Sequence, residues 1–479
     1  MSISLLSSLL LILNITLASL VACHALLTKS DPRAALGWVS LAFLTPLIGS
    51  VLYFVFGINR ITTRARKLAS KSPFESGQPA AENSAAAAHI TPIPDGLQHG
   101  VQLAQVARKV TGKPLLSGNA VKCLHNGENA YPVMLAAIAN ARRTLFLTTY
   151  IFETQQIGTQ FIDALVEATQ RGVDVRVIID GVGELTNIPR ASTLLQRRGV
   201  KVGRFLPPRL IPPSLSINLR NHRKILAIDS EIAFTGGMNI TAKHLADDAS
   251  NPKRMTDVHF QFQGPIVCQI EQSFLEDWAF VTDDRETVES THCEQQGDAY
   301  CRIIPDGPNE YLDQLNKVIS GVLCCAQQRI GIVSPYFLPP RDLTIVLRAA
   351  ALRGVDIHII LPAVSDNPLV QWATRHILSF LLEDGIQFYL QPAPFNHSKL
   401  LVVDDYYALV GSANMDPRSL RLNFELGVEI FDQQISQELW THITELMEKS
   451  KPIQHQDLTR RTMPQRLRDA LAWVCSPYL

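Results

Sequence analysis

Charge is missing from two long stretches of this 479-residue chain. No Asp, Glu, Lys or Arg occurs in residues 1–28, and none in residues 34–59. Each run exceeds the roughly 20 apolar residues that cross a bilayer core of about 30 Å, which excludes an ordinary soluble N-terminus. Asn14, His24 and Pro46 interrupt the runs, and membrane helices tolerate such breaks. Acid is also missing between Arg60 and Glu75, where Arg60, Arg64, Arg66, Lys67 and Lys71 follow the second run. Only five residues, Lys29 to Arg33, separate the two runs. The pattern predicts a transmembrane helical hairpin with spans at 4–28 and 34–58. The basic residues behind it place the rest of the chain in the cytoplasm, so the expected location is the cell (inner) membrane, multi-pass. A signal peptide is the competing reading, and Leu20-Val21-Ala22-Cys23 resembles a lipoprotein cleavage box. Residues 1–19 contain no Lys or Arg, however, so the basic leader region is missing.

Net charge is missing as well. Lys plus Arg number 44 and Asp plus Glu number 44, so no global basic field points to nucleic acid. The eight cysteines show no metal-binding spacing, and Cys324-Cys325 are adjacent in an apolar stretch. A cytosolic domain keeps such thiols reduced, and all eight read as packing residues. Residues 72–115 are rich in Ala, Pro, Gly and Ser, including Ala85 to Ala88, Pro92 and Pro94. With the basic residues before it, 60–115 reads as a juxtamembrane segment and a poorly structured linker.

Beyond the linker the chain repeats itself. Arg171-Gly-Val-Asp-Val-Arg-Val-Ile-Ile179 recurs as Arg353-Gly-Val-Asp-Ile-His-Ile-Ile-Leu361. Helix-like stretches precede both, Phe161 to Ala168 and Leu343 to Leu352. Apolar strands ending in tyrosine come before those, Leu145 to Tyr150 and Ile330 to Tyr336. Short buried strands alternating with helices imply an α/β fold, a parallel sheet with helices on its faces. The domains are expected at 116–295 and 296–479.

Each half carries one four-part motif. His222-Arg223-Lys224 is followed by Asp229 and Gly236-Gly237-Met238-Asn239. His397-Ser398-Lys399 is followed by Asp404 and Gly411-Ser412-Ala413-Asn414. Positions i and i+2 of an extended strand share a face, so each His–Lys pair points one way. Asp229 and Asp404 have the opposite parity and are expected to support structure. A reactive histidine needs its other ring nitrogen held by an acceptor. Asp257 and Glu425, each just before an apolar strand downstream of a motif, are the expected orienting carboxylates. Two ammonium groups and the amides of Asn239 and Asn414 suit the equatorial oxygens of a phosphate in transfer. No metal and no other cofactor is expected. His244, His259, His292, His358 and His376 lack such partners in the sequence and read as structural.

These residues resemble the HxKxxxxDxxxxxxGSxN signature of the phospholipase D superfamily. With the N-terminal apolar runs, essentially the whole chain is similar to the bacterial cardiolipin synthases of that superfamily. Further matching segments are Asn221-His-Arg-Lys224, Ser334-Pro-Tyr-Phe337 and Asn414-Met-Asp-Pro-Arg-Ser419. The resemblance implies two duplicated phospholipase D-type domains with a pseudo-twofold active site. It implies His222, Lys224, Asp229, His397, Lys399 and Asp404 as the catalytic signature, with Asn239, Asn414 and Ser412 at the substrate phosphate. It implies a phosphohistidine intermediate on His222, His397 as the acid, and transfer between two phosphatidylglycerol molecules to give cardiolipin and glycerol. One departure stands out: Gly237 occupies the position of the signature serine, so a hydroxyl donor is missing from the first half.

Other readings stay open at this point. The fold also serves donors or acceptors such as phosphatidylethanolamine, and hydrolysis by water. Nucleases share it too, although neutral charge and the membrane segment argue against one, and intact motifs in both halves argue against an inactive scaffold. Phospholipid substrates and the membrane are the expected partners, without nucleic acid, and oligomeric state is not legible. At the C-terminus, Arg460, Arg461, Arg466 and Arg468 mix with Leu467, Leu471, Ala472, Trp473 and Val474. That composition suits either an amphipathic helix on an anionic lipid surface or a helix docked on the protein's own core.

Overall fold

The computed structural model describes residues 2–29, 32–45, 47–57, 98–208, 219–282, 284, 294–308 and 311–476. The basic residues from Arg60 to Lys71 and the segment 72–97 lie outside the described residues. The chain divides into two compact units, Met1–Lys67 and Leu68–Leu479.

The first unit opens with the helix Ser2–Thr28. Ser7–Thr28 is the one helix among the described residues that is long and apolar enough to cross a membrane. Among the described residues the second apolar run supplies no second helix of that length, so the multi-pass expectation is not supported. That run gives the helix Pro32–Leu44, 13 residues, or about 20 Å at 1.5 Å per residue. The chain then turns back through the short helix Ile48–Leu52 and a π-helical turn Tyr53–Gly57. Three contacts fix the return. Leu47 N–H donates to Asn14 Oδ1 at 2.9 Å, the Tyr53 hydroxyl lies 2.7 Å from His24 Nδ1, and Lys29 Nζ donates to Gly57 O at 2.5 Å. Residue 47 is thus level with residue 14, and residue 57 is level with residue 29. Ala18, Ala25 and Ala42, all fully buried, let the helices approach closely. At the turn, Leu47 has a left-handed φ of 62°, and a side chain at Gly49 would strike the Leu41 carbonyl. Composition alone cannot separate a long apolar helix from two short ones folded back to back.

In the second unit the strands are β1 Leu116–His125, β2 Thr144–Thr149, β3 Asp174–Asp180, β4 Lys201–Phe205, β5 Ile225–Ile228, β6 Ile232–Gly236, β7 Met255–Thr256 and β8 Val258–Gln263. They continue as β9 Ala299–Asp306, β10 Arg329–Val333, β11 Asp356–Pro362, β12 Gln387–Gln391, β13 Phe395–Asn396, β14 Leu400–Val403, β15 Tyr407–Gly411, β16 Glu425–Phe431 and β17 Lys451–Pro452. One sheet holds most of them, in the order β17-β12-β11-β10-β14-β15-β16-β9-β1-β8-β6-β5-β2-β3-β4. Leaving β17 aside, the order is the same from either end. β9, β10, β11, β12, β14, β15 and β16 are the second copies of β1, β2, β3, β4, β5, β6 and β8. The copies meet where β1 pairs antiparallel with β9, so one continuous sheet unites both halves. This is the duplicated α/β fold.

The sheet is not parallel throughout, which corrects one expectation. Only β2-β3-β4 and β10-β11-β12 are parallel. The motif strands are hairpins, β5 with β6 and β14 with β15, because too few residues lie between them for a crossover. Asp229 and Asp404 make these hairpins. Each takes the left-handed conformation, with φ of 56° and 52°. The Asp229 carboxylate accepts the backbone N–H groups of Arg142, Arg143 and Thr144 at 2.7–2.8 Å. The Asp404 carboxylate accepts those of Gln327, Gln328 and Arg329 at 2.7–3.3 Å. Each aspartate therefore tethers a turn to the start of the neighbouring parallel strand.

Outside the sheet, the helix Gln98–Thr111 occupies the end of the segment read as linker. Leu103 and Ala107 sit in the core of the second half, and the Ala104 carbonyl accepts from buried Arg302. The C-terminal helix Met463–Val474 packs on the helix Pro368–Glu383 through buried Ala472 and Asp469. Cys268 is disulfide-bonded, contrary to the expectation that every cysteine is a reduced packing residue, whereas Cys123 and Cys301 are free and buried.

Replacing Asp404 by Ala strips a charged acceptor from three turn amides. Thermal or denaturant unfolding should register a loss of about 2–3 kcal/mol, while the folded fraction of Asp404→Ala keeps most of its turnover.

Candidate active site

Each histidine lies on the extended segment that leads into a motif hairpin, and each segment runs beside the other half. His222 N–H donates to Phe424 O at 2.9 Å, and Phe424 N–H donates to Arg220 O at 2.8 Å. In the second motif β13 pairs with β7, and His397 N–H donates to Thr256 O at 2.8 Å. These backbone bonds bring each motif against the carboxylate of the opposite half. His222 Nδ1 lies 3.0 Å from Glu425 Oε2, and His397 Nδ1 lies 2.9 Å from Asp257 Oδ2. The carboxylates are fully buried, while each imidazole keeps 12% of its surface open. A carboxylate at Nδ1 assigns the proton to that nitrogen and leaves Nε2 bare.

The lysines close over the same segments. Lys224 Nζ donates to His222 O at 2.6 Å, and Lys399 Nζ donates to His397 O at 2.5 Å. Burial pushes their pKa values down, Lys224 to about 7 and Lys399 to about 8, against the pull of Glu425 and Asp257. Burial also lowers both histidines, assisted by the lysine charges. Burial thus favours neutral imidazoles and brings both lysines close to neutrality, so that a bound anion would favour their ammonium forms.

The Asn239 side-chain oxygen accepts Ile151 N–H at 3.2 Å, and Asn414 Nδ2 donates to Ser419 Oγ at 3.2 Å. Both asparagines are buried. Asp229 and Asp404 lie outside this cluster, at the hairpin turns. Tyr150 packs edge-on against His222 with centroids 5.3 Å apart, and Phe395 lies 6.3 Å from His397.

The two carboxylates are not equivalent. Ser412 Oγ donates to Glu425 Oε2 at 2.5 Å and Asn423 Nδ2 donates to Oε1 at 3.1 Å. Burial alone would raise the Glu425 pKa, but His222, Lys224 and the Ser412 hydroxyl bring it below its ordinary value. Asp257 lacks the serine, because Gly237 stands there, and a Cβ on Gly237 would meet its carboxylate at 2.5 Å. Burial pushes Asp257 up to about 7.

Two neighbours escape sequence reasoning. Arg223, between His222 and Lys224, is buried and donates to the Glu425 and Asp306 carbonyls and to Asp277. His244 is fully buried, accepts Asn239 N–H at Nε2, and turns Nδ1 toward Asp257 Oδ2 at 3.8 Å. Its signal is present in the chain: His244 follows Asn239 by five residues as Ser419 follows Asn414, and both contact that asparagine. His244, Asp257 and His397 also bring three possible metal-ligand atoms within 4.8 Å of one another. Lys399 Nζ, 3.2 Å from His397 Nδ1, already places a cation there and would repel a second.

Gly237→Ser should push the Asp257 carboxylate off His397. Steady-state assays should show kcat reduced at least about tenfold, equivalent to about 1.4 kcal/mol, with little change in melting temperature. Full activity would mean that the Asp257–His397 contact does not matter.

Comparison with known proteins identifies the family. Residues 134–278 and 321–447 match the family described as cardiolipin synthase, PLD-like domain. Residues 16–57 match the phospholipase D-nuclease N-terminal family. The chain is 30% identical over 500 residues to the major cardiolipin synthase ClsA of Bacillus subtilis (strain 168), covering 99% of both chains. It is 28% identical over 477 residues to cardiolipin synthase A of Pseudomonas putida (strain W619), covering 97% of this chain and 96% of that one. Among solved structures, the phosphatidylserine synthase of Haemophilus influenzae Rd KW20 superposes with a TM-score of 0.63 at 17% identity, over 79% of this chain and all of that one. That likeness concerns the fold. Two matched domains and near-complete alignments give the assignment: the chain belongs to the cardiolipin synthase family of phospholipase D-like phosphatidyltransferases.

Proposed function

We propose that this enzyme joins two phosphatidylglycerol molecules into cardiolipin, releasing glycerol, with His222 as nucleophile and His397 as acid and base. The observation that carries this reading is the pair of imidazoles, each fixed at Nδ1 by a carboxylate of the opposite half and flanked by a lysine. The difference between the carboxylates supports the division of labour. Glu425, held anionic by His222, Lys224 and the Ser412 hydroxyl, favours a growing positive charge on His222 as Nε2 attacks phosphorus. Asp257 is more easily protonated and suits a histidine that gives and takes a proton. The bond from phosphorus to the glycerol oxygen breaks, and His397, which must carry a proton on Nε2 when substrate is bound, gives that proton to the oxygen. His397 then removes the proton from a hydroxyl of the second phosphatidylglycerol, that oxygen attacks phosphorus, and the bond to His222 breaks. Lys224, Lys399 and the two asparagines face the equatorial oxygens.

Purified enzyme supplied with labelled phosphatidylglycerol should yield cardiolipin and free glycerol. Phosphatidic acid as the main product would show that water is the acceptor and refute the transferase reading. His222→Ala and His397→Ala should each lower transfer at least ~10³-fold, the scale seen when residues act as a unit. More than a tenth of wild-type transfer in either variant would exclude a two-histidine mechanism.

The finer membrane topology also belongs to this proposal. Lys29 and Gly57 lie at one level of the first unit, so the chain leaves the folded-back segment on the side where it entered. Lys29, Arg33 and the basic residues from Arg60 to Lys71 then share one side, which the positive-inside rule makes cytoplasmic. The N-terminus lies opposite. Reporter fusions at Asp31 and after Lys71 should both score cytoplasmic. Opposite scores at these two positions would restore a two-span hairpin.

A further inference from the structure

The C-terminal helix Met463–Val474 has two apolar faces, and the protein covers one of them. Ala472 packs with Leu338 and Ala373, and buried Asp469 is paired with Arg461 and Arg468. On the other face Met463, Leu467, Leu471 and Val474 are 71%, 59%, 60% and 65% exposed. Their spacing of four, four and three residues puts them on one stripe. At 100° per residue Arg466 and Trp473 fall on one flank of the stripe and Arg468 on the other. Trp473 is 43% exposed and packs at a tilt on His376 with centroids 4.9 Å apart, and His376 meets Phe380 at 6.0 Å. Phe380 is itself 52% exposed, so the apolar surface continues from the stripe's flank onto the neighbouring helix.

We propose that this face is a second membrane contact, in which the helix lies in the interface of a bilayer containing anionic phospholipid. The occupant follows from charge and from the rest of the chain. The stripe is bordered by arginines, and the helix's single carboxylate is buried and doubly paired. Arginine heads above an apolar stripe match anionic headgroups over acyl chains, and the tryptophan matches the boundary between them. The same chain carries the helix Ser7–Thr28, long and apolar enough to cross a membrane, which would bring it to a bilayer. The proposal rests on the phospholipid reading of the active site, and its first test does not require turnover.

Beneath this helix lies a cavity of about 300 Å³, whose lining includes Gln465, Arg461, Arg375 and Phe337. Phe337 adjoins Tyr336, whose ring is 6.4 Å from Phe395 beside His397. Tyr336 and Phe395 thus stand between the cavity beneath the helix and His397.

The test uses the full chain in vesicles of phosphatidylglycerol and phosphatidylethanolamine. The fluorescence difference between wild type and Trp473→Phe isolates Trp473 from the other four tryptophans. Lipids brominated at shallow acyl positions should quench this difference signal, as for a helix about 5–10 Å below the headgroups, and aqueous iodide should not. Quenching by iodide alone would overturn the proposal. Quenching by neither agent would also overturn it, because the face would then be covered by protein. The paired substitution Leu467→Glu and Leu471→Glu lies on exposed positions and should leave the fold intact. It should raise the apparent KM for vesicle phosphatidylglycerol about tenfold, because interfacial binding scales with buried apolar area. Turnover of short-chain phosphatidylglycerol dissolved as monomers should not change. Unaltered vesicle KM would count against the contact even if cardiolipin is the product, whereas lipid quenching without any cardiolipin would leave the contact standing and remove the proposed reaction.

Discussion

The hydrogen bond from an imidazole of one half to a carboxylate of the other is the contact on which the catalytic unit depends. His222 reaches Glu425 across 203 residues of sequence, and His397 reaches Asp257 across 140. Each bond requires the two motif segments to lie beside foreign strands, and the backbone bonds from His222 to Phe424 and from His397 to Thr256 supply that alignment. The β1–β9 junction then serves as the seam that keeps two half-sheets in register. A hinge between the halves would open both pairs at once, so the enzyme is built with one continuous sheet where two linked domains would otherwise be expected.

Burying this much charge is costly unless every group is answered. The first half meets the requirement with a chain of ion pairs. Arg223 donates to Asp277, which also accepts from Asn221, while Asp180 accepts from Arg220 and from the Asn221 amide. The second half has Ser398 where Arg223 stands and needs no such chain. Arg223 therefore does more than separate the histidine from the lysine. Its three contacts on Glu425, Asp306 and Asp277 lock the segment that carries His222 to two strands of the second half and to the helix Ile266–Thr282 of the first. The site is twofold in its backbone and unequal in its electrostatics, and the proposed mechanism uses that inequality to give two similar histidines different tasks.

Much of this architecture is legible in the chain, for physical reasons that also explain what is not. The His–Lys spacing and the repeated β-branched strands are local patterns, and local periodicity comes directly from strand geometry. The parity of Asp229 and Asp404 is equally local, and it leads to the hairpin turns where both are found. The exchange of carboxylates between halves is not local. Internal similarity can nominate Asp257 and Glu425, but no spacing rule says which histidine each will face. His244 looks like an isolated core histidine because its meaning comes from Asp257 and His397, residues that only the fold brings beside it. The second apolar run reads as a span because hydropathy counts residues and is blind to a turn such as the one at Leu47. The helix Gln98–Thr111 is hidden for a related reason: its apolar residues face the core of the second half, and the segment before it is compositionally plain.

The crossed pairing has a consequence for how such an enzyme changes over generations. Duplication ordinarily leaves a spare copy, free to drift. Here each copy lends its carboxylate and keeps only its histidine, so neither half carries a complete catalytic pair. A fault in Asp257 is felt at His397, and a fault in Glu425 at His222. The two halves are thus inherited as mutual dependants, able to diverge in the parts they do not share, as Gly237 and Ser412 have done, but not to separate.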